Sequence, residues 1–339
     1  MTVVATEPSR QTIPLWPWGY AAAGALALAA ALTAPLAAYV FMIALFGLPH
    51  VVCEMRYCDE RFSPRAPRAA LPIIGVVLLL LAALRISQGF NLLPSALTVP
   101  AELSLGIGLT ATAVWFMPQR HLLGVLAGVT LTCGAVFAPI TTFLIFAWLH
   151  NLTPLAFISE ILPKRERARI LLLLSMPFIA LPALVASGVL QQFVHELFGY
   201  SAASAPSLFG AGQGPISAFL ATNAPRADAV TLFSAALVAQ AMHYFSVIVV
   251  MPRLLARGGK TANGTLVSWP SWKNFYIAVA LFGATMLAFH AADYHSAHLV
   301  YSVAAALHSW VELPIFLIAL GFGFSEAPAR GSRLATIGS

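Results

Sequence analysis

Long apolar runs separated by short polar segments make up most of this chain. A helix needs roughly 20 apolar residues to cross a bilayer, and about ten runs reach or approach that length. Lipid offers no partners for backbone amides, and the runs lack the alternation of a membrane barrel, so they must be helices. The pattern predicts an all-α, polytopic integral membrane bundle of about ten transmembrane helices.

The predicted helices cover approximately residues 16–33, 35–57, 69–90, 101–118, 121–138, 139–162, 170–190, 228–255, 274–292 and 297–323. The two-proline stretch 91–100 is predicted to be a loop, and a short surface helix is expected around 191–200. We expect a cytoplasmic segment over 1–15, a single transmembrane domain over 16–323, and a disordered cytoplasmic tail over 324–339.

Composition agrees with this pattern, because 60% of the residues are hydrophobic and only 9% are charged. The net charge of +6 does not indicate a nucleic-acid partner, since Lys and Arg in membrane proteins mostly report orientation. With a cytoplasmic N-terminus, all but two of the 18 basic residues, Arg85 and Arg226, fall on the cytoplasmic side. We therefore expect a bacterial-type inner (plasma) membrane protein with both termini in the cytoplasm.

Two His-x-x-x-Glu pairs interrupt the apolar runs, His50 with Glu54 and His308 with Glu312. Residues four apart share one face of a helix, so each imidazole lies beside a carboxylate. Ionisable groups inside a bilayer are costly and usually mark a functional site.

Four histidines on four different predicted helices lie at similar depth, about 15 to 22 Å from the outer face of a core about 30 Å thick. They are His50, His150, His243 and His308. Each alone is typical of a packed, hydrogen-bonded residue, but together they predict a metal site, because imidazole suits Fe, Cu, Zn and Ni. Glu54 and Glu312 would orient the imidazoles or bind the metal themselves.

A second polar group lies at the outer end of the last two helices and contains His290, Asp293, His295 and His298. It could bind a divalent ion, although a solvated turn is the favoured interpretation. Aromatic residues such as Tyr244 flank the inner histidines, where they would line a substrate tunnel or pack between helices.

The stretch Pro49-His50-x-x-x-Glu54 resembles the Brp/Blh family of membrane β-carotene dioxygenases, whose signature is Pro-His-Gly-x-x-Asp-His. His50 matches the first histidine of the signature and Glu54 its acidic residue, whereas Met55 stands in place of its second histidine. His243 shortly before Pro252 adds to the resemblance. It implies a multi-helical fold, non-haem iron held by four histidines, and central cleavage of β-carotene to retinal with O₂.

The leading hypothesis is a membrane-embedded non-haem iron oxygenase that holds Fe(II) through the four histidines. It would act with O₂ on a hydrophobic substrate from the bilayer, a carotenoid or another lipid. One alternative is a transporter coupled to protons or metal ions. Another is a membrane electron-transfer protein in which the histidines form axial pairs on haem.

Overall fold

We describe a computed structural model of the chain over residues 17–63, 67–116, 121–162, 164–199, 207–212, 214–221, 225–257 and 266–321. This part of the chain is helical, with connecting turns and no strand, which confirms the all-α fold class. The expected terminal segments, 1–15 and 324–339, lie outside the described residues.

Sixteen α-helices succeed one another along the described chain. They are α1 Pro17–Thr33, α2 Pro35–Met42, α3 Leu48–Phe62, α4 Ala70–Gly89, α5 Ser95–Phe116, α6 His121–Phe137, α7 Pro139–His150, α8 Thr153–Ile161, α9 Lys164–Ser175, α10 Leu181–Ala186, α11 Val189–Phe198, α12 Ser217–Leu220, α13 Arg226–Phe245, α14 Met251–Arg257, α15 Trp272–Ala292 and α16 Tyr294–Gly321. Several of them join end to end, so the number of straight rods is smaller.

Seven continuous helical segments within the described residues are long and apolar enough to cross a membrane. They are Pro35–Phe62, Ala70–Gly89, Ala96–Phe116, Pro139–Ile161, Arg165–Ala186, Arg226–Leu255 and Trp272–Ala292. Two shorter apolar helices, Trp18–Thr33 and Gly124–Phe137, accompany them. The fold is that of a membrane protein.

Some predicted boundaries are wrong. Helix α5 begins at Ser95 and contains Pro100, where the sequence predicted a loop. The proline lies near the start of the helix, where its missing N–H deprives only the carbonyl of Ala96 of a donor. Helix α9 begins at Lys164 rather than Ile170. The six residues before Ile170 are Lys, Arg, Glu and Ala, which are all good helix formers.

Three turns of π-helix join α-helices into continuous rods, Ile43–Gly47, Met176–Ala180 and Ser246–Val250. A proline stands two residues after the end of each of them, Pro49, Pro182 and Pro252. A proline cannot donate to the carbonyl four residues earlier, which favours a local change of helical pitch. Turns of this kind are frequent at functional sites, and the first one ends three residues before His50.

The helices differ sharply in how much of their surface the fold covers. Of the apolar windows, 61% is buried in the segment Arg226–Leu255 but only 11% in Ala70–Gly89. Helix α15 approaches the backbone of the first π turn closely, because a Cβ on Gly283 would lie 2.6 Å from the carbonyl oxygen of Leu45. The well-covered helices α3 and α13 carry His50 and His243, whereas His150 lies at the end of α7, in a segment only 11% buried.

Candidate metal centre

The four predicted histidines converge in the interior from α3, α7, α13 and α16. One ligand atom from each of His50, His150, His243, His308 and Glu54 lies within 4.8 Å of all the others. Adjacent ring centroids are 4.7 to 5.2 Å apart. The predicted convergence is therefore present, and this group of side chains could hold a metal ion.

Backbone carbonyls one turn earlier orient two of the rings. Nδ1 of His50 lies 3.3 Å from the carbonyl oxygen of Phe46, within the π turn. Nδ1 of His308 lies 3.2 Å from that of Ala304. A carbonyl oxygen only accepts, so both Nδ1 atoms donate, and both Nε2 atoms present a lone pair.

Those two Nε2 atoms are 3.2 Å apart, His50 to His308. Two neutral imidazoles in this tautomer have no hydrogen atom to place between them. Two nitrogen ligands about 2.1 Å from one ion are roughly 3.0 to 3.4 Å apart when they subtend 90° to 109°. The spacing therefore fits a pair of ligands to a single metal ion.

The glutamates do not serve the histidines of their own helices. Glu54 Oε2 lies 3.3 Å from Nε2 of His243 and 3.8 Å from Nε2 of His308. Glu312 Oε2 lies 2.8 Å from Nδ1 of His150. The prediction that each glutamate pairs with the histidine of its own helix is therefore wrong: each glutamate contacts a histidine of another helix. The reason is that the carbonyls on the preceding turns already take the Nδ1 protons of His50 and His308.

The centre contains an unusual concentration of buried polar atoms without a hydrogen-bond partner of normal geometry. They are both carboxylate oxygens of Glu54 and Glu312, both ring nitrogens of His243, and Nδ1 of His150. None of the ion pairs found among the described residues joins Lys or Arg to either glutamate. Buried charges in proteins are paired or bind metals, so the donor set fits a divalent cation whose charge would balance two carboxylates.

A cavity of about 1130 Å³ reaches the centre from one side. It borders His50, His150 and His308, and its wall includes apolar residues such as Phe143 and Phe146. On the other side of the centre, Cys53, Tyr57, Phe62, Phe157 and Val247 belong to one buried apolar cluster. No residue of that cluster is among the described residues that line the cavity.

Sequence reasoning missed a polar network next to His50. The ring of Tyr244 stacks on the imidazole of His50 with centroids 4.1 Å apart. Its hydroxyl lies 2.9 Å from that of Tyr301 and accepts from Nε2 of Gln240 at 2.7 Å. Gln240, a polar residue inside an apolar helix, is the signal in the sequence that could have pointed to this network.

The outer group of histidines is separate from the centre. Asp293 Oδ1 accepts from the backbone N–H of Ser296 at 3.1 Å, which is the arrangement of a helix N-cap. His290 is buried and its Nδ1 donates to the carbonyl oxygen of Met286 at 2.9 Å. No possible metal-binding group was found here among the described residues, although His295 and His298 border the cavity.

No protein-family model, curated protein or solved structure matches the chain. The resemblance to the Brp/Blh family is untouched by these comparisons and stays a prediction. Fold and centre together define a class: an all-helical membrane protein with a buried His/Glu group that could hold a metal ion.

Proposed function

We propose that this protein is a membrane-embedded non-haem iron oxygenase that acts with O₂ on a hydrophobic substrate, a carotenoid or another lipid. The observation that carries the proposal is the pair of facing lone pairs on His50 and His308, 3.2 Å apart, at a cavity of about 1130 Å³. A ligand group at the inner end of a chamber of this size has room for a substrate beside the ion.

The membrane arrangement belongs to the same proposal. The seven long apolar segments and the two shorter ones, together with α16, give about ten transmembrane helices. Since all but two of the 18 basic residues then fall on one side, the termini lie in the cytoplasm of a bacterial-type cell.

His50, His150, His243, His308 and Glu54 would bind Fe(II). Bound iron would supply the redox chemistry that activates O₂. Imidazole is a suitable ligand for iron, and the neutral rings leave the positive charge of the ion to be balanced by carboxylates.

The surrounding residues keep this ligand set in place. Glu312, 2.8 Å from Nδ1 of His150, fixes the orientation of that ring, as outer carboxylates do at many metal sites. The stacked ring of Tyr244 covers one face of His50. Apolar side chains in the cavity wall exclude water from the reacting atoms.

A transporter would need polar groups continuing to the cytoplasmic face. Polar residues such as Glu160 and Arg61 do lie there, but the described residues of the buried cluster around Tyr57 and Phe157 do not line the cavity, which favours an enzyme with one entrance. A haem with two axial histidines needs space for the porphyrin between the two imidazole rings. Here the imidazole centroids are only 4.7 to 5.2 Å apart. That packing favours a single ion.

Metal analysis with an optical spectrum of the purified protein tests the proposal. We expect about one iron per chain and no intense haem band, with O₂ uptake on addition of a polyene. A His243→Ala variant should lose most of the iron, while Glu196→Gln, an exposed change on α11, should keep it. Protein without transition metal, or His243→Ala with unchanged iron and activity, would refute the proposal.

A further inference from the structure

A partly buried ion pair forms part of the cavity wall. Nη2 of Arg85 on α4 lies 2.8 Å from Oε1 of Glu102 on α5. The indole Nε1 of Trp310 donates to the same carboxylate oxygen at 2.8 Å. All three residues border the cavity, and ion pairs within apolar helices are expensive unless they serve a function.

The guanidinium of Arg85 has unused hydrogen-bonding capacity. It carries five N–H donors, and its buried Nε has no hydrogen-bond partner in the described structure. The side chain is 17% exposed and lies over the ring of Phe143, 5.2 Å from the centroid. Gln88, one turn away, borders the same cavity, so this wall offers N–H donors to a molecule inside it.

Two stacked aromatic rings border the same cavity as the ion pair and the histidines. The rings of Trp310 and Phe146 stack with centroids 4.0 Å apart. Trp310 follows His308 by two residues, and Phe146 precedes His150 by one helical turn. A ligand held at Arg85 would therefore reach the histidines across a flat apolar surface.

The charge of the wall selects the polar group of that ligand. Glu102 balances the charge of Arg85, so the wall is electrically neutral overall. A carboxylate bound here would add an unbalanced buried charge, which is costly in an apolar environment. A hydroxyl or carbonyl oxygen accepts the same N–H groups without that cost.

We propose that the substrate is a long apolar molecule with a neutral oxygen acceptor, a hydroxyl or carbonyl group, bound by Arg85 and Gln88. This assignment rests on the proposed function and names its substrate class. The apolar chain passes Trp310 and Phe146 to the histidines. Because the oxygen is fixed, the position attacked on the chain is determined by its distance from that oxygen.

Binding of three fluorescent conjugated tetraenes tests this assignment: parinaric acid, the corresponding alcohol, and the corresponding hydrocarbon. The wild-type protein should bind the alcohol about 10- to 100-fold more tightly than the hydrocarbon, as expected for a hydrogen bond to a charged donor. It should also prefer the alcohol to the acid. Measurements are made on iron-loaded and on chelator-treated protein, so that binding is read independently of iron and turnover.

Substitutions in the ion pair give the sharper result. Arg85→Met should remove the preference for the alcohol over the hydrocarbon, whereas Arg169→Met, an exposed change on α9, should leave it intact. Glu102→Gln leaves the charge of Arg85 unbalanced, so the preference should switch from the alcohol to the acid. If Arg85→Met does not fold, this switch and the loss of alcohol binding in Gln88→Leu carry the test.

Equal binding of alcohol and hydrocarbon by the wild-type protein would overturn the assignment, as would an unchanged preference in Glu102→Gln. The experiments distinguish failure of the substrate assignment from failure of the proposed function. Iron and O₂ uptake without an alcohol preference would refute only the substrate class. An alcohol preference in a protein that binds no iron would refute only the oxygenase and would uphold the binding site.

Discussion

Replacement of Glu312 by glutamine tests whether the carboxylates serve a metal ion. The change is nearly isosteric and replaces a carboxyl group 2.8 Å from Nδ1 of His150 by an amide. Loss of a carboxylate that orients a ligating histidine typically weakens metal binding by about 10- to 100-fold, roughly 1.4 to 2.7 kcal/mol. We expect a loss of that size for Glu312→Gln, and a larger one for Glu54→Gln, because Glu54 contributes a candidate ligand atom.

The same substitutions should have the opposite effect on the stability of the protein without metal. Both glutamates are buried with unsatisfied oxygens, and an uncompensated buried carboxylate is destabilising. Glu312→Gln should therefore raise the Tm of chelator-treated protein while it lowers the metal affinity. No purely structural role for Glu312 predicts this reversal.

The assay is competition with a chelator of known affinity, followed by thermal unfolding with and without metal. Glu60→Gln is the matched control, because Glu60 is also buried and lies on α3 but pairs with Arg56 at 2.7 Å, outside the centre. It should lower the Tm and leave metal affinity unchanged. Unchanged metal affinity in Glu312→Gln, or an equal loss in Glu60→Gln, would refute the reasoning.

Three further outcomes are expected. Gly283→Ala should destabilise the protein by about 1 to 3 kcal/mol in chemical unfolding, because the new Cβ would lie 2.6 Å from the carbonyl oxygen of Leu45. Gly108→Ala is the control and should not destabilise, because its Cβ would meet nothing within 4 Å. Tyr244→Phe should leave the metal affinity unchanged, because the ring still stacks on the neighbouring imidazole, but should lose about 0.5 to 1.5 kcal/mol of stability with the hydroxyl contact to Tyr301; a loss of metal affinity instead would contradict this role. Removal of metal by a chelator should lower the Tm reversibly, since a ligand present at 100 times its Kd stabilises by about 2.7 kcal/mol; an unchanged Tm would argue against a resident ion.

Which residues meet at the centre could be predicted from sequence, because helix geometry converts position along the chain into depth. A rise of about 1.5 Å per residue places His50, His150, His243 and His308 in one layer. Those four side chains do lie together. The reasoning needed only helix ends and a common membrane thickness, both of which apolar runs reveal.

The pairing within the centre could not be predicted in the same way. A spacing of four residues brings Glu54 near His50 along one helix, but which atoms meet depends on how neighbouring helices are rotated. That rotation places Glu54 beside His243 and Glu312 beside His150. The rotation of each helix is determined by interhelical packing, and no local pattern in the sequence predicts it.

Charged residues within apolar runs indicate more than the orientation of the protein in the membrane, because they can also mark a buried ion pair. In the sequence, Arg85 is only an exception on the outer side, and the predicted helix over 101–118 puts Glu102 in its first turn, whereas α5 begins at Ser95. The sequence predicts that each of these charges needs a partner, because an unpaired buried charge is costly. It does not predict that they pair with each other across α4 and α5. The identity of the partner again depends on tertiary packing.

The π turn at Ile43–Gly47 contains one residue more than the same stretch of α-helix would need. Deleting a single residue there would rotate α2 against α3 by about 100°. The side of α2 that packs in the core and the side of α3 that carries His50 could then no longer both face inward. The length of this turn thus sets the phase between the two helices, and a related chain that lacked the extra residue would need a one-residue gap in the turn for its residues to align correctly with His50.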